Sequence, residues 1–302
     1  MRKYLIYSSL AILGTAVTIL IYFSIYGIKT ESFNDLISNK ISEINPKFSL
    51  NINDVFLKLN AKDRSINIRT QDAEIFIDKE FIKISRIDLN LNILNFLKKE
   101  NSIKKIKITT DKNKIKNFVD FINAYKFSVS RLLIFNQIKD GNITAEININ
   151  FNDKTASEFV FDVNAKVTDA KLNILNQHKV EEINFDLNIK DKLYIIENIT
   201  FSNKGINFSS KKIVIENFND SYEIEGDLAN IKGPIDTKYL KKILNYKINF
   251  LDNKNIIAET KNEFKFKINS KKKIKDLYLN SKVNFEEIFV NKNIQNLISL
   301  QK

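Results

Sequence analysis

The chain has 302 residues, of which 43% are hydrophobic, so it can fold into one large or two ordinary domains, and wholesale disorder is excluded. It has no cysteine, which excludes disulfides, thiol chemistry and cysteine-ligated metals. The net charge is +12, but the lysines are scattered among many acidic residues. This pattern argues against nucleic-acid binding and favours a weak attraction to anionic lipid headgroups.

The first element is an uncharged run from Tyr4 to Ile28, between Lys3 and Lys29. As a helix it would be roughly 37 Å long, and a bilayer core is about 30 Å thick. Tyrosines near both ends suit the membrane–water interface. The run predicts one transmembrane helix, with Arg2 and Lys3 on the cytoplasmic side and the remaining chain across the membrane. The alternative is a cleavable signal peptide, for which the run is too long and lacks a small-x-small cleavage site.

A second amphipathic segment follows directly, from Glu31 to Asn45. Its apolar residues recur at helical spacing, and Pro46 ends the pattern. Two interpretations are open for this exit helix. It caps the first strand of the folded domain, or it lies among the lipid headgroups.

From Phe48 onward the apolar period changes to two, which predicts half-buried strands. Three short helical segments interrupt it: Ile93–Lys99 (as a helix or a loop), Lys114–Tyr125 and Thr237–Tyr246, and the tail Asn293–Leu300 is weakly helical. About 16–20 strands are predicted. They include Phe48–Ile52, Val55–Leu59, Ile66–Ile68, Ile75–Ile77, Ile82–Ile84, Ile87–Leu91, Ile103–Ile108, Ile143–Phe151, Phe159–Val167, Ile183–Ile189, Leu193–Phe201, Ile206–Phe208, Ile213–Ile215, Tyr222–Ile224, Ile248–Phe250, Phe264–Ile268, Leu277–Leu279 and Val283–Phe285.

Six Gly and two Pro are few for a sandwich or barrel with tight turns. The predicted fold is therefore mainly β: an N-terminal transmembrane helix, then a long, twisted antiparallel sheet that forms an open groove, with a few short amphipathic helices. We divide it into a cytoplasmic stub and membrane helix (1–28), a first β region with the exit helix (29–126) and a β-meander or groove region (127–302). At about 4.8 Å per strand the groove would be roughly 75–95 Å long, which we expect to be too short to join two membranes alone.

The order of these parts resembles the AsmA-like superfamily of bridge-like lipid-transfer proteins, the TamB and YhdP type. The resemblance is carried by the anchor, by SFNDLISNKISEI running into FSLNINDVFLKLN, by ISRIDLNLNILNFLKKENSIKKIKI, by KNKIKNFVDFINAY, and more loosely by GPIDTKYLKKILNYKINF. Lys98-Lys99-Glu100 stands where relatives often have Gly. The resemblance implies a single-pass protein of the bacterial inner membrane whose periplasmic β-groove holds phospholipid acyl chains, for intermembrane lipid transport or outer-membrane maintenance.

Residues with catalytic potential are sparse in the sequence. The one histidine, His178, stands in a predicted turn, and adjacent Glu181 and Glu182 would point to opposite faces of a strand. No phosphate loop, nucleophile elbow or zinc spacing occurs. We therefore predict no enzyme activity, no cofactor and no metal. The predicted partners are membrane phospholipids, with an envelope protein or a second copy of the chain as further possibilities.

The candidate groove lining consists of alternating apolar residues in the central strands, which could equally be ordinary sheet core. They are Ile143, Ala145, Ile147, Ile149, Phe151, Phe159, Phe161, Val163, Phe185, Leu187 and Ile189. If these side chains meet in a closed core, the alternative function is a membrane-anchored periplasmic scaffold or assembly factor that binds envelope proteins.

Overall fold

The computed structural model of the chain describes residues 2–31, 34–35, 38–39, 42, 46–98, 103–125, 136–152, 155–174, 178–218, 221–238, 256–271 and 273–287. Within these residues the chain is mainly β and forms one long, open antiparallel sheet, as predicted. It divides into two compact units. Unit 1 comprises Met1–Asn136 and Asn142–Ala165, and unit 2 comprises Gln137–Gly141 and Lys166–Lys302.

The elements follow one another along the chain with short connections. The helices are α1 (Arg2–Ile25), α2 (Ile93–Leu97) and α3 (Ile115–Tyr125). The strands are β1 (Ile28–Thr30), β2 (Phe48–Asn51), β3 (Asp54–Asn60), β4 (Ser65–Ile77), β5 (Glu80–Asn92), β6 (Ile103–Thr110), β7 (Asn113–Lys114), β8 (Ile138–Asn152), β9 (Thr155–Ile174), β10 (His178–Lys190), β11 (Leu193–Asn203), β12 (Ile206–Phe218), β13 (Ser221–Ile235), β14 (Ile256–Asn269) and β15 (Ile274–Glu287). They pair in sequence order, except that β2 is hydrogen-bonded to β4 and β7 to β8.

The uncharged N-terminal run forms α1, but the helix ends at Ile25 and not at Ile28. Gly27 turns the chain with a φ of 72°, and a Cβ atom there would lie 2.6 Å from the carbonyl oxygen of Leu57. Apolar side chains of α1 are exposed, such as Ile12 at 70% and Leu13 at 62%. Over the part of the chain that is described, no helix combines the length and hydropathy needed to cross a membrane.

The described positions of the predicted exit helix, 34–35, 38–39 and 42, are helical, and the others lie outside the described residues. Their polar side chains contact the edge of β2. Asn34 Nδ2 donates to the Ile52 carbonyl at 3.1 Å, Ser38 Oγ to that of Leu50 at 2.7 Å and Ser42 Oγ to that of Phe48 at 3.1 Å. Alternate carbonyl oxygens along the edge of β2 are thus satisfied by side chains, in agreement with the interpretation of this helix as a cap on the first strand.

Several strands that the sequence divides are continuous in the structure. Ile66–Ile68 and Ile75–Ile77 belong to one strand, β4, and Ile82–Ile84 and Ile87–Leu91 to β5, so the prediction of separate strands was wrong. The break in β4 is at Asp72, which has a φ of 50°. A short acidic side chain tolerates this left-handed conformation, and the strand bends without ending.

Unit 2 repeats this device across neighbouring strands. Asp169 in β9, Glu182 in β10 and Asn198 in β11 have φ values of 54°, 54° and 55°. Asn198 lies opposite Lys211 of β12, where the register between β12 and β13 shifts. We call this line of irregular residues the crease of unit 2. Predicted strands Ile206–Phe208 and Ile213–Ile215 are therefore one bulged strand, β12.

Side chains of the next strand satisfy the backbone N–H groups freed at the crease. Asn184 Oδ1 accepts from the N–H of Asp169 at 3.0 Å, and the carboxylate of Asp227 accepts from those of Lys211 and Lys212 at 3.1 and 3.0 Å. Because each freed donor has a partner, the bulges keep few unsatisfied polar groups in the sheet.

The crease keeps apolar side chains on one face although their parity changes. Gly226 and Asn230 are four residues apart on a regular stretch of β13 and pair with Ile213 and Phe208 of β12. Directly paired residues point to the same face. Ile213 and Phe208 therefore share a face although five residues separate them, because the bulge between them absorbs one residue.

The remaining predictions divide between confirmed elements and segments outside the described residues. The helical segments at Ile93–Lys99 and Lys114–Tyr125 are confirmed as α2 and α3. His178 is the first residue of β10, not a turn residue, so that prediction was wrong. Positions 239–246 of the third predicted helix, the strand Ile248–Phe250 and the tail Asn293–Leu300 lie outside the description, which contains fifteen strands.

The core of unit 1 lies where β2 to β5 meet α3. Its buried residues are Leu50, Ile52, Val55, Ala73, Ile82 and Ile84, with Phe118 and Phe121 of α3 packed against them. Ile84 is 2% exposed and pairs with Ala73 of β4. Truncation at this position leaves a cavity that the neighbouring strands cannot fill.

We expect Ile84→Ala to lower the free energy of unfolding by about 2–5 kcal/mol, because transferred hydrocarbon and packing are both lost. Urea titration of the purified chain measures it. Ile231→Ala, at a position that is 60% exposed, is the control and should change the value by less than about 0.5 kcal/mol. Equal losses for the two variants would contradict this assignment of the core.

Candidate functional site

Unit 1 carries an apolar face that the strand register aligns into rows. Paired residues point to the same face, so a single row crosses five strands. It consists of Leu57, Ile68, Leu89, Ile106 and Ile149, on β3, β4, β5, β6 and β8. The opposite face is polar, with the Arg69 Nε atom 2.6 Å from a carboxylate oxygen of Asp88. The sheet of unit 1 is therefore two-sided, with hydrocarbon on one side and paired charges on the other.

Helix α3 covers one end of this apolar face and leaves a cavity beneath it. Ile115 and Val119 are buried on the sheet side, and the ring of Phe121 lies 6.2 Å from that of Phe48. The cavity has a volume of about 360 Å³. Its lining is Phe48, Leu50, Ile75, Ile82, Ile84, Ile108, Thr110, Phe118, Phe121, Ile122 and Ile147.

Thr110 is the one residue of this lining with a polar side chain. Its Oγ1 atom accepts the backbone N–H of Ala145 at 2.8 Å, so the hydroxyl is engaged with the sheet. The cavity therefore offers hydrocarbon to any occupant. A site of this size and polarity suits an apolar group and has no fixed donor to orient a polar one.

Unit 2 carries a second apolar face, formed by two aligned rows of residues. One row is Leu187, Ile196, Ile213, Gly226, Phe264 and Leu279, and the other is Ile189, Tyr194, Ile215, Ile224 and Phe266. The first row crosses six strands, so it is roughly 24 Å long. Most of these side chains are half-buried, and Leu279 on β15 is 61% exposed. We call these two rows the unit 2 apolar face.

Gly226 interrupts the first row, and its neighbours fill the gap. A Cβ atom at this position would lie 2.9 Å from Cγ1 of Ile213, 2.9 Å from the Lys212 carbonyl oxygen and 3.1 Å from Cζ of Phe264. The aromatic ring thus lies over the glycine backbone, as in the aromatic rescue of strand glycines. The row remains continuous hydrocarbon because no side chain stands between Ile213 and Phe264.

The opposite face of unit 2 is charged, and its charges are paired across strands. Lys265 Nζ lies 2.5 Å from Oε1 of Glu223 and 3.1 Å from Oε2 of Glu225, and Lys267 lies 3.7 Å from Glu223. The hydrogen bond from Lys265 lowers the pKa of Glu223 below its usual 4.5, and the bonds from Glu223 and Glu225 raise the pKa of Lys265 above 10.5. Charge is thereby confined to the side away from the unit 2 apolar face.

The sequence-predicted lining residues divide between the two units. Ile147 lines the α3 cavity, Ile149 belongs to the apolar row of unit 1, and Ala145 is buried at 6% exposure. Ile143, Phe151 and Val163 are half-buried, Phe161 is 38% exposed, and the side chain of Phe159 lies outside the described residues. Phe185 is half-buried, and Leu187 and Ile189 lie in the unit 2 apolar face.

Most of the unit 2 apolar face was absent from the sequence-based list, which stopped at Ile189. The residues it missed, such as Ile196, Ile213 and Phe264, alternate in the sequence as clearly as those it named. The missing information was the register, which decides whether alternating residues on different strands form one row.

No group of three or more His, Cys, Asp or Glu side chains in the described ranges is placed to hold a metal ion. Comparison of the chain with protein-family models, with curated proteins and with solved structures finds no match. The resemblance to the AsmA-like superfamily thus remains a prediction. What the described residues offer chemically is hydrocarbon surface, in rows and in one cavity.

We expect Gly226→Ala to lower the free energy of unfolding by about 1–3 kcal/mol, because the new methyl group overlaps Ile213 and the backbone of Lys212. Gly233→Ala is the matched control. A Cβ atom there would lie 3.5 Å from the nearest atom, an ordinary contact, and the change should be neutral or slightly stabilising. Urea unfolding measures both, and an equal effect would contradict the close packing over Gly226.

Lys265→Met should raise the pKa of Glu223 toward 4.5, since the main hydrogen bond to its carboxylate is removed. In the native chain the pair stabilises the fold above pH 4.5, and this contribution is lost as the pH falls through the lowered pKa. Carboxyl-carbon NMR titration measures the shift. Lys261→Met, on the same strand but paired with Glu259, should leave the pKa of Glu223 unchanged.

Proposed function

We propose that the chain holds lipid acyl chains against the apolar faces of its sheet, as a membrane-anchored periplasmic protein of the AsmA-like type. The observation that carries this proposal is the unit 2 apolar face, whose two rows run without a charged side chain. No described helix of unit 2 is longer than the two helical residues 237–238, so no described helix is long enough to cover six strands.

The energetics favour hydrocarbon as the occupant. Removing one methylene from water contributes roughly 0.8 kcal/mol, so ten methylenes on the rows contribute about 8 kcal/mol before ordering costs. The rows have no fixed donor or acceptor aimed at a ligand apart from the hydroxyl of Tyr194. A chain held in this way can slide along the row, because every position offers the same solvent exclusion.

Membrane attachment in this proposal rests on the sequence and on the exposure of α1. The run from Tyr4 to Ile28 has no charged residue, and Tyr4, Leu10 and Ile25 are 81%, 58% and 57% exposed. We assign α1 as the anchor in the bacterial inner membrane, with its N-terminus cytoplasmic and the sheet periplasmic. Phospholipids are then the partners, and no catalytic step is required.

A second candidate is an anchored scaffold or assembly factor that binds envelope proteins. One observation favours it: α3 packs on the apolar face of unit 1, and Phe118 and Phe121 join the buried cluster there. In that case the apolar rows serve as core and lipid is not a ligand. The two candidates differ in whether an acyl chain reaches the unit 2 apolar face.

A phospholipid with a diazirine on one acyl chain separates the two functions. Irradiated with the purified full chain, it should label peptides of β10 to β15. Ile196→Asp should lower this labelling at least about tenfold, because a carboxylate in the row opposes hydrocarbon. Ile195→Asp is the matched control, since Ile195 is also half-buried but pairs with Asn188 and Val214 on the other face.

Labelling confined to α1 would contradict the proposal, because lipid around an anchor helix alone gives that pattern. Equal loss in the two variants would contradict it as well. Circular dichroism confirms that each variant keeps its strand content. Stoichiometric phospholipid in the purified wild-type chain, measured by mass spectrometry, is the independent expectation.

A further inference from the structure

The last strand, β15, ends the strand order and is hydrogen-bonded to β14. It is fourteen residues long, whereas β1 at the other end of the order has three. The edge of β2 is capped by the side chains of Asn34, Ser38 and Ser42, but no described strand pairs with the outer edge of β15. A long edge strand with unpaired backbone groups is a template for another strand.

The side chains of β15 continue the unit 2 apolar face to this edge. Leu277, Leu279, Val283 and Phe285 are 66%, 61%, 43% and 56% exposed. Leu279 pairs with Phe264 and Phe285 with Ala258, so they point to the same side as the rows. Solvent-exposed leucine and phenylalanine at a strand edge indicate an interface.

The sequence of β15 is complementary to itself in the antiparallel direction. When two copies are centred on Ser281, Leu277 faces Phe285 of the other copy and Leu279 faces Val283. The bulge at Asp276, which has a φ of 53°, removes one residue from the ladder. Lys275 then falls opposite Glu286, an attractive pair across the strands.

We propose that two copies of this chain associate through antiparallel pairing of β15, with a two-fold axis at Ser281. The interface is isologous, because each residue contacts the mate that it also provides. An axis normal to the sheet places the apolar faces of both copies on the same side, so the rows continue across the junction. The pairing requires no bound lipid, and it therefore stands apart from the proposed function.

The absence of cysteine allows a direct test. Residues directly opposite each other in antiparallel strands have Cα atoms about 4.5–5.5 Å apart, within the range of a disulfide. Ser281→Cys lies on the axis and should form a disulfide-linked dimer on mild oxidation with copper phenanthroline. Ser281 is exposed, so the substitution leaves the core intact.

Asn280→Cys is the matched control. In this register Asn280 faces Lys282, and the two Asn280 Cα atoms would be roughly 8 Å apart, beyond disulfide reach. Cross-linking at position 281 and not at 280 supports the proposal. Equal cross-linking at both positions, or none at 281, overturns it, including the outcome in which another segment of the same chain covers the edge.

Leu279→Lys gives a second readout that needs no disulfide. Sedimentation of the wild-type chain in detergent should show a dimer, and the variant should dissociate at about tenfold lower dilution, because a charge replaces the Leu279–Val283 contact. Lys204→Ala, in the turn between β11 and β12, should leave the dimer unchanged. A wild-type monomer at micromolar concentration would overturn the proposal whatever the variants do.

Discussion

Every long strand of this chain must keep its apolar side chains on one face although the sequence changes phase partway along it. A one-residue slip would otherwise place half of each strand's hydrocarbon in water. Bulges absorb the extra residue: Asp72, Asp169 and Asn198 adopt positive φ, and neighbouring amide or carboxylate groups accept the freed N–H donors of the crease. The two apolar faces, and the function proposed for them, depend on these bulges.

The sequence predicted the class of element at most described positions but not where strands end. Alternating isoleucines identify β8, β10 and β14, and apolar spacing identifies α3, because each pattern reports directly on the face that a residue occupies. A change of phase is ambiguous, since a turn and a bulge both produce it. The break at Asp72 was interpreted as a turn because aspartate suits both structures, and only pairing with Ser85 of β5 distinguishes them.

The candidate site was predictable in kind but not in extent. Ile147 and Leu187 were named from alternation alone, and both lie on apolar faces. The cavity under α3 depends on how far Phe118 and Phe121 stand above the sheet, a tertiary distance that periodicity does not contain. The same holds for Gly226, whose role follows from a phenylalanine on the next strand.

The side chains that cap β2 act as a vernier. Four residues of helix rise about 6.0 Å, whereas two residues of strand rise about 6.6–6.8 Å, so each successive donor falls behind its carbonyl by roughly 0.7 Å. Asn34, Ser38 and Ser42 keep step for three contacts, with distances of 3.1, 2.7 and 3.1 Å. A longer ladder would lose registration, and an insertion or deletion between the donors would turn them away by about 100°. This segment can therefore vary in composition far more freely than in length.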